Sequence, residues 1–239
     1  GIRDSSVTGV QTCALPISAG PALNGFGLSG LADPRLDLYP AGAQNPSASN
    51  DDWPATLASV FTAAGAFPFP AGSKDAALLQ PLTGAFTVRA SGTGTGIVLV
   101  EAYDTSGDAG GRLINVSARN RVGTGEDIMI AGFSVTGSGS KQVLIRAVGP
   151  TLATFGLTGV LADPILKVVD ARGATVGSND NWAATLTPSF TQVGAFPLTA
   201  GSRDAALLLT VPAGSTYTIQ VSGVNNTTGE ALVEVYEVF

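Results

Sequence analysis

The residues of this chain best suited to chemistry are aspartates and asparagines, which recur in two copies of one pattern. SNDxW begins at Ser49 and again at Ser178, and S[KR]DAAL follows at Ser73 and Ser202. Clustered carboxylate and amide oxygens in loops are the ligands that Ca²⁺ prefers. One interpretation is therefore a calcium site in each copy. Its ligands would be Asn50, Asp51, Asp52 and Asp75 in the first copy, and Asn179, Asp180, Asn181 and Asp204 in the second.

A second interpretation of the same residues is structural. Asp and Asn side chains often hydrogen-bond to nearby backbone groups and so cap turns. The sequence contains no complete calcium loop of the D-x-D-x-D-G kind. The sequence thus offers calcium as a possible cofactor and leaves both the metal-binding and the turn-capping interpretations open.

A tryptophan follows the acidic residues in each copy, at Trp53 and Trp182. An exposed indole could stack on a sugar ring, whereas a single Trp per domain is more often a packing anchor. The sequence favours the packing role and leaves glycan stacking as the alternative.

Most catalytic chemistry is excluded by composition. The chain has no histidine, so it has neither a Ser-His-Asp triad nor a His-ligated metal site. Lys74 stands in the repeated block, but Arg203 replaces it in the second copy, and Arg does not release its proton near neutral pH. A hydrolase based on two carboxylates would need them about 5 to 9.5 Å apart in a cleft. We therefore expect no enzymatic activity.

These residues are positioned by a repeated unit. Ser49–Leu79 and Ser178–Leu208 are identical at 21 of 31 aligned positions, and the two tryptophans are 129 residues apart. That period is longer than the roughly 20 to 50 residues of solenoid repeats and matches a whole domain. The sequence predicts tandem domains.

The apolar residues alternate with a period of two in most of the chain, for example in Thr216–Val221 and Val143–Val148. This pattern predicts half-buried antiparallel strands, and the turn clusters between them predict an all-β fold of tandem antiparallel β-sandwich or jelly-roll-like domains. Residues 183–193 lack the alternation and are expected to hold a helical turn. We interpret GSGSK at Gly137–Lys141 as a hairpin turn.

The first 17 residues have a different origin in this interpretation. GIRD, two further residues and VTGVQTCALPI match the translation of a common sequencing-library index adapter. We therefore predict that residues 1–17 are an artefact of sequence assembly and make few apolar contacts. The same reading assigns residues 18–104 to an incomplete first repeat, 105–110 to a linker or turn, and 111–239 to a complete second repeat.

Charge and hydropathy restrict the partners. The net charge is −6 and lysines are few, which is unfavourable for nucleic-acid binding. No apolar run reaches the roughly 20 residues of a membrane helix. A β-rich composition with abundant small polar residues indicates an extracellular or cell-surface location, with any signal peptide upstream of this sequence.

Copy two contains the strand Asp163–Leu166, a turn at Gly173, the SNDN loop at Ser178–Asn181 and PAGSTYTIQVSG at Pro212–Gly223. This series resembles the repeats of secreted bacterial surface proteins and, more remotely, the bacterial pre-peptidase C-terminal domain. The resemblance covers about residues 31–103 and 161–236. It implies a β-sandwich appended to extracellular hydrolases or arrayed on cell surfaces, sometimes with bound calcium.

Two functions follow as hypotheses. The first is a non-catalytic structural, spacer or adhesive module, whose partners are neighbouring repeats of the same chain. The alternative is a carbohydrate-binding or accessory module of a secreted hydrolase, whose partner would be a cell-surface polysaccharide.

Overall fold

The computed structural model describes residues 3–106 and 113–239 and divides into two compact units, Gly1–Val116 and Ser117–Phe239. The strands of the first unit are β1 Arg3–Ala19, β2 Pro34–Pro40, β3 Ala48–Asn50, β4 Ala76–Ala77, β5 Gln80–Gly92 and β6 Leu99–Asp104. Its helices are α1 Ala58–Ala64 and the 3-10 helices Pro21–Phe26 and Ala55–Leu57.

Strand β7, Leu113–Val122, spans the division between the units. All elements that follow β7 in the chain belong to the second unit. The strands of that unit are β8 Met129–Val135, β9 Ser140–Val148, β10 Pro164–Asp170, β11 Thr175–Asn179, β12 Ala205–Pro212, β13 Ser215–Gly223 and β14 Gly229–Val238. Its helices are α2 Thr187–Gln192 and the 3-10 helices Gly125–Asp127, Pro150–Phe155, Ala184–Leu186 and Val224–Asn226.

The second unit is a sandwich of two antiparallel sheets, with strand orders β12-β9-β14-β7 and β11-β10-β13-β8. Alternate residues of the strands face the space between the sheets, as the period of two predicts. Ile145 of β9, Leu166 of β10 and Ile219 of β13 are fully buried there. The all-β sandwich prediction is thus confirmed.

A second apolar layer covers the opposite face of the sheet that contains β9. Leu144 and Val148, which alternate with the sandwich-core residues of β9, pack there against Phe190 of α2 and against Leu198. Strand β9 is therefore buried on both faces, which explains its almost continuous apolar sequence VLIRAV. The helical elements at 184–192 that form this layer lie within the predicted helical turn at 183–193.

In the first unit β1 likewise has apolar residues packed on both faces, but its strands β1, β5, β2 and β3 follow one another in a single antiparallel sheet. The second half of β1 pairs with β4 and β6, and β5 pairs with both β1 and β2. One face of β1 packs against Phe61 of α1 and the other packs in a cluster with Leu36 and Leu38 of β2.

The prediction that residues 1–17 make few apolar contacts is wrong for residues 13–17, the part of the segment whose side chains the structure describes. Leu15 and Ile17 are 0% exposed and belong to the same core cluster as Phe61. The reason is that ALPI presents apolar side chains in an extended segment, and such a segment can complete a sheet whatever its origin. The proposed origin of these residues in an adapter stays a prediction.

The hairpin prediction for Gly137–Lys141 is also wrong. This loop joins β8 to β9, and these strands lie in different sheets of the sandwich. The loop type cannot be read from its glycines alone, because a tight glycine turn suits a crossing between sheets as well as a hairpin.

The division between the units falls at Val116 and Ser117, a few residues after the predicted start of the second repeat at Gly111. Residues 107–110 of the predicted linker lie outside the described residues. Thr105 donates a backbone hydrogen bond to the carbonyl of Cys13, 2.8 Å away. Across the two described stretches, 3–106 and 113–239, no helix is long and apolar enough to cross a membrane.

Candidate functional site

The predicted ligand Asp204 is a buried structural anchor. Its side chain is 0% exposed. Oδ1 accepts hydrogen bonds from the backbone amides of Gly149 and Thr151, at 2.8 and 3.3 Å. Oδ2 accepts from the hydroxyls of Thr151 and Ser202. The carboxylate thus ties β12 to the start of the 3-10 helix Pro150–Phe155, whose free amides it satisfies.

Asp75 does the same in the first unit. Its Oδ1 accepts from the amides of Gly20 and Ala22, at 2.7 and 3.1 Å, and its Oδ2 accepts from the Ser73 hydroxyl at 2.6 Å. Asp75 is also 0% exposed. The difference is that Ala22 stands in the position of Thr151, so Asp75 lacks the second hydroxyl donor.

The asparagines of the motif hold the same two loops together. Asn179 Oδ1 accepts from the amide of Ala206 at 2.9 Å, and its Nδ2 donates to the carbonyl of Asn181. The amide of Trp182 donates to the carbonyl of Asp204 at 2.8 Å, which adds a backbone link between SNDNW and SRDAAL. In the first unit the equivalent bonds join Asn50 to Ala77, Asn50 to Asp52, and Trp53 to Asp75.

The remaining predicted calcium ligands, Asp51, Asp52, Asp180 and Asn181, are exposed. Asp52 forms an ion pair with Lys74, with Oδ2 and Nζ 2.8 Å apart, and this contact raises the pKa of Lys74. Among the residues that the structure describes, no three acidic or cysteine side chains converge in a way that could hold a metal ion. The hydrogen bonds favour turn capping, and calcium binding stays a prediction.

Both tryptophans are half-buried packing anchors. The Trp53 ring lies 5.5 Å from Phe61 and the Trp182 ring lies 5.5 Å from Phe190, at interplanar angles of 34° and 36°. Their indole N–H groups donate to the Pro70 carbonyl and the Ser202 hydroxyl, both at 3.2 Å. These contacts support the packing role. Glycan stacking by either ring stays a prediction.

Sequence reasoning missed a buried ion pair in the second unit. Arg146 of β9 is 0% exposed, and its Nε and Nη2 donate to Oε2 of Glu234 on β14, the first of them at 2.8 Å. Its Nη1 donates to the carbonyl of Phe196 at 2.6 Å. Tyr236 donates to the other carboxylate oxygen of Glu234 at 2.7 Å.

Aromatic rings complete the surroundings of this guanidinium. Its central carbon lies 4.3 Å from the centroid of the Phe196 ring and 4.9 Å from that of Phe190. The ring faces attract the cation, and the attraction is stronger where water is excluded. Burial, followed by the nearby charge of Glu234, raises the pKa of Tyr236. The sequence signals for this pair were an Arg within the apolar run VLIRAV of β9 and a Glu between two valines in β14.

A shallow depression on the second unit is lined by Ala162, Asp163, Arg203, Val224, Asn225 and Thr227. Asp163 and Arg203 pair with each other there, with Oδ2 and Nη1 2.6 Å apart. One carboxylate neutralised by a guanidinium differs from the pair of facing carboxylates that a glycosidase needs.

Comparison with known proteins adds no family. The chain matches no protein-family model and no curated protein. Among solved structures, it is similar to the infectious bursal disease virus VP2 subviral particle at 12% identity and a TM-score of 0.22, over 97% of this chain. The chain spans 58% of the length of that protein. The resemblance to the pre-peptidase C-terminal domain stays a prediction.

Proposed function

We propose that this chain is a non-catalytic structural module, a spacer or adhesive segment of a larger extracellular or cell-surface protein. The proposal rests on the structural role of the residues in the repeated block. Its central polar side chains, Asp75 and Asp204, are 0% exposed and accept hydrogen bonds from backbone amides of their own unit. The polar residues conserved between the two copies of the repeated block therefore stabilise each unit. This is the role expected in an array of repeats, where every unit has to stay folded.

The differences between the copies support the same function. Asp52 is replaced by Asn181 and Lys74 by Arg203, and all four side chains are exposed or at the surface. The exposed Asp52–Lys74 ion pair of the first unit is therefore absent from the second copy by sequence. If each unit carried the same ligand site, the exposed residues of that site would be expected to be the same in both copies.

The test of a structural role is the response to force. The full chain is held by its two ends in a single-molecule force experiment, with Asp204→Asn as the variant and Asp180→Asn, at an exposed position, as the matched control. We expect cooperative unfolding events, a lower unfolding force for Asp204→Asn and no change for Asp180→Asn. Gradual extension without discrete events would contradict the proposal.

The carbohydrate-binding alternative predicts a different result. A glycan array probed with the full chain should show no binding under the structural proposal, because both indoles are engaged with Phe61 and Phe190. Binding that disappears in a folded Trp182→Ala variant, but persists in Trp53→Phe, would establish the alternative.

A further inference from the structure

Glu101 and Glu234 hold equivalent positions in the two units. Glu101 lies in VEAYD on β6 and Glu234 in VEVYE on β14. Glu234 is directly opposite Arg146 across the β9–β14 ladder. Glu101 is directly opposite Ile17 across the β1–β6 ladder. Residues that face each other in an antiparallel pair point to the same side of the sheet. Ile17 therefore stands in the place of the buried arginine.

The rest of the arginine environment is present in the first unit. Phe61 and Phe67 precede Phe190 and Phe196 by 129 residues, and both rings pack in the core cluster that contains Ile17. Tyr103 matches Tyr236, and it too shares a hydrogen bond with the neighbouring glutamate, Glu101.

Without the cation, the carboxylate of Glu101 is incompletely satisfied. Its Oε2 is buried and has no hydrogen-bond partner among the described residues. Burial raises the pKa of Glu101, against the smaller opposing effect of the Tyr103 hydrogen bond. A buried carboxylate that no cation pairs with destabilises the folded state, since it has lost hydration and one hydroxyl hydrogen bond does not replace it.

We infer that position 17 is an arginine site of this fold: Glu101, Tyr103, Phe61 and Phe67 form a pocket for a buried guanidinium, and Ile17 occupies it. Ile17 is also the last residue of the segment that matches the adapter. The inference rests on the geometry of the two units and is independent of the proposed function.

The test uses the full chain with Ile17→Arg, and with Ile17→Met as a matched control that has a long side chain and no charge. Each unit contains one tryptophan, so a Trp182→Phe background reports the first unit by fluorescence and a Trp53→Phe background reports the second. At pH 8 we expect Ile17→Arg to raise the melting temperature of the first unit by about 5 °C relative to Ile17→Met. The second unit should melt as before.

The pH dependence identifies the carboxylate responsible. A glutamate whose pKa is higher in the folded state than in the unfolded state stabilises the fold fully at low pH. That contribution is lost as the pH rises from the ordinary glutamate range through the raised pKa of Glu101. Tyr103 is the titratable group that faces Glu101, and burial raises its pKa further above neutral. The residue opposite on β1, Ile17, and the ring of Phe61 on α1 carry no charge.

We therefore expect Glu101→Gln to raise the melting temperature of the first unit at pH 8 and to leave it unchanged at pH 4. Ile17→Arg should likewise flatten the decline between these values. An Ile17→Arg chain that melts no higher than Ile17→Met at pH 8, whether through poor folding or poor packing, overturns the arginine site. If Glu101→Gln has no effect at pH 8, the carboxylate is not destabilising and the inference also fails.

Discussion

Ala14–Ser18 of β1 and Val143–Ala147 of β9 occupy equivalent positions in their units, but the side chains that they bury differ. Both segments pair with the strand that carries the VExY sequence, and both are covered by the Trp and Phe side chains of the repeated block. The β9 segment fills its position with large apolar side chains and a paired arginine. The β1 segment is smaller, and Ser18 Oγ is buried there without a partner among the described residues.

The comparison distinguishes the hydrogen bonds that position β1 from the side-chain packing that stabilises it. Asp75 holds the amides of Gly20 and Ala22, and the amide of Leu78 donates to the carbonyl of Pro16 at 3.0 Å. These bonds fix the end of β1 and the residues that follow it, and they do not depend on the side chains of β1. Proline has no amide hydrogen for the ladder, and Pro16 stands where β9 has Ile145. We expect the first unit to be less stable than the second.

The largest effect should come from deleting residues 1–17. The sequence alone predicts no change, whereas the structure places Leu15 and Ile17 in the core. Removing these residues takes away a pairing strand of β5 and β6 and exposes the core cluster around Phe61, so we expect the first unit to unfold at room temperature. Trp53 fluorescence measures this, and Trp182 provides the control from the second unit. An unchanged Trp53 melting curve would show that the segment contributes nothing to the fold.

Arg146→Ile should make the second unit resemble the first. It leaves Glu234 buried without its cation, and breaking a buried pair in this way costs about 3–5 kcal/mol of unfolding free energy. Urea unfolding followed by Trp182 fluorescence measures the loss. Adding Glu234→Gln should restore part of the stability, because the stranded charge is removed. A loss below about 1 kcal/mol would mean that the pair is not what distinguishes the units.

Substitution of the capping aspartates should destabilise both units to a similar extent. Asp75→Ala and Asp204→Ala each leave two buried backbone amides without an acceptor, and we expect a loss of about 3 kcal/mol in the corresponding unit. The loss should be slightly greater for Asp204, which also binds the Thr151 hydroxyl. The matched controls are Asp51→Ala and Asp180→Ala at exposed positions. Equal losses at exposed and buried positions would contradict the anchoring role.

The repeat and the period of two were sufficient to predict the all-β sandwich, since both are local properties of the sequence. Local patterns also located the helical elements at 184–192. The use of Asp75 and Asp204 was not decided by the sequence, because an aspartate beside a turn suits a cation and a row of amides equally well. The choice depends on Gly20 and Gly149, which are 55 residues earlier in the chain and approach only in the folded structure.

The Arg146–Glu234 pair was not found for a related reason. The two residues are 88 positions apart, and each alone resembles a surface charge on a half-buried strand. Only the second apolar layer, formed by residues 182–198, makes that face of the sheet an interior. Strand periodicity does not reveal how many faces are covered.

The smallest effect should be that of calcium, which also tests whether the two units differ in metal binding. Asp204 and Asp75 are saturated by donors from their own units, and a cation would have to displace those hydrogen bonds. We therefore expect the same melting temperatures in EDTA and in millimolar Ca²⁺ for both units. Stabilisation by a ligand follows its occupancy of the folded state, so a site with a submillimolar dissociation constant would raise the melting temperature measurably. A rise in either unit that Asp204→Asn or Asp75→Asn abolishes would restore the calcium interpretation of the repeated block. A rise confined to the first unit would instead point to Asp51 and Asp52, the adjacent pair of carboxylates that the second copy, with Asn181, does not contain.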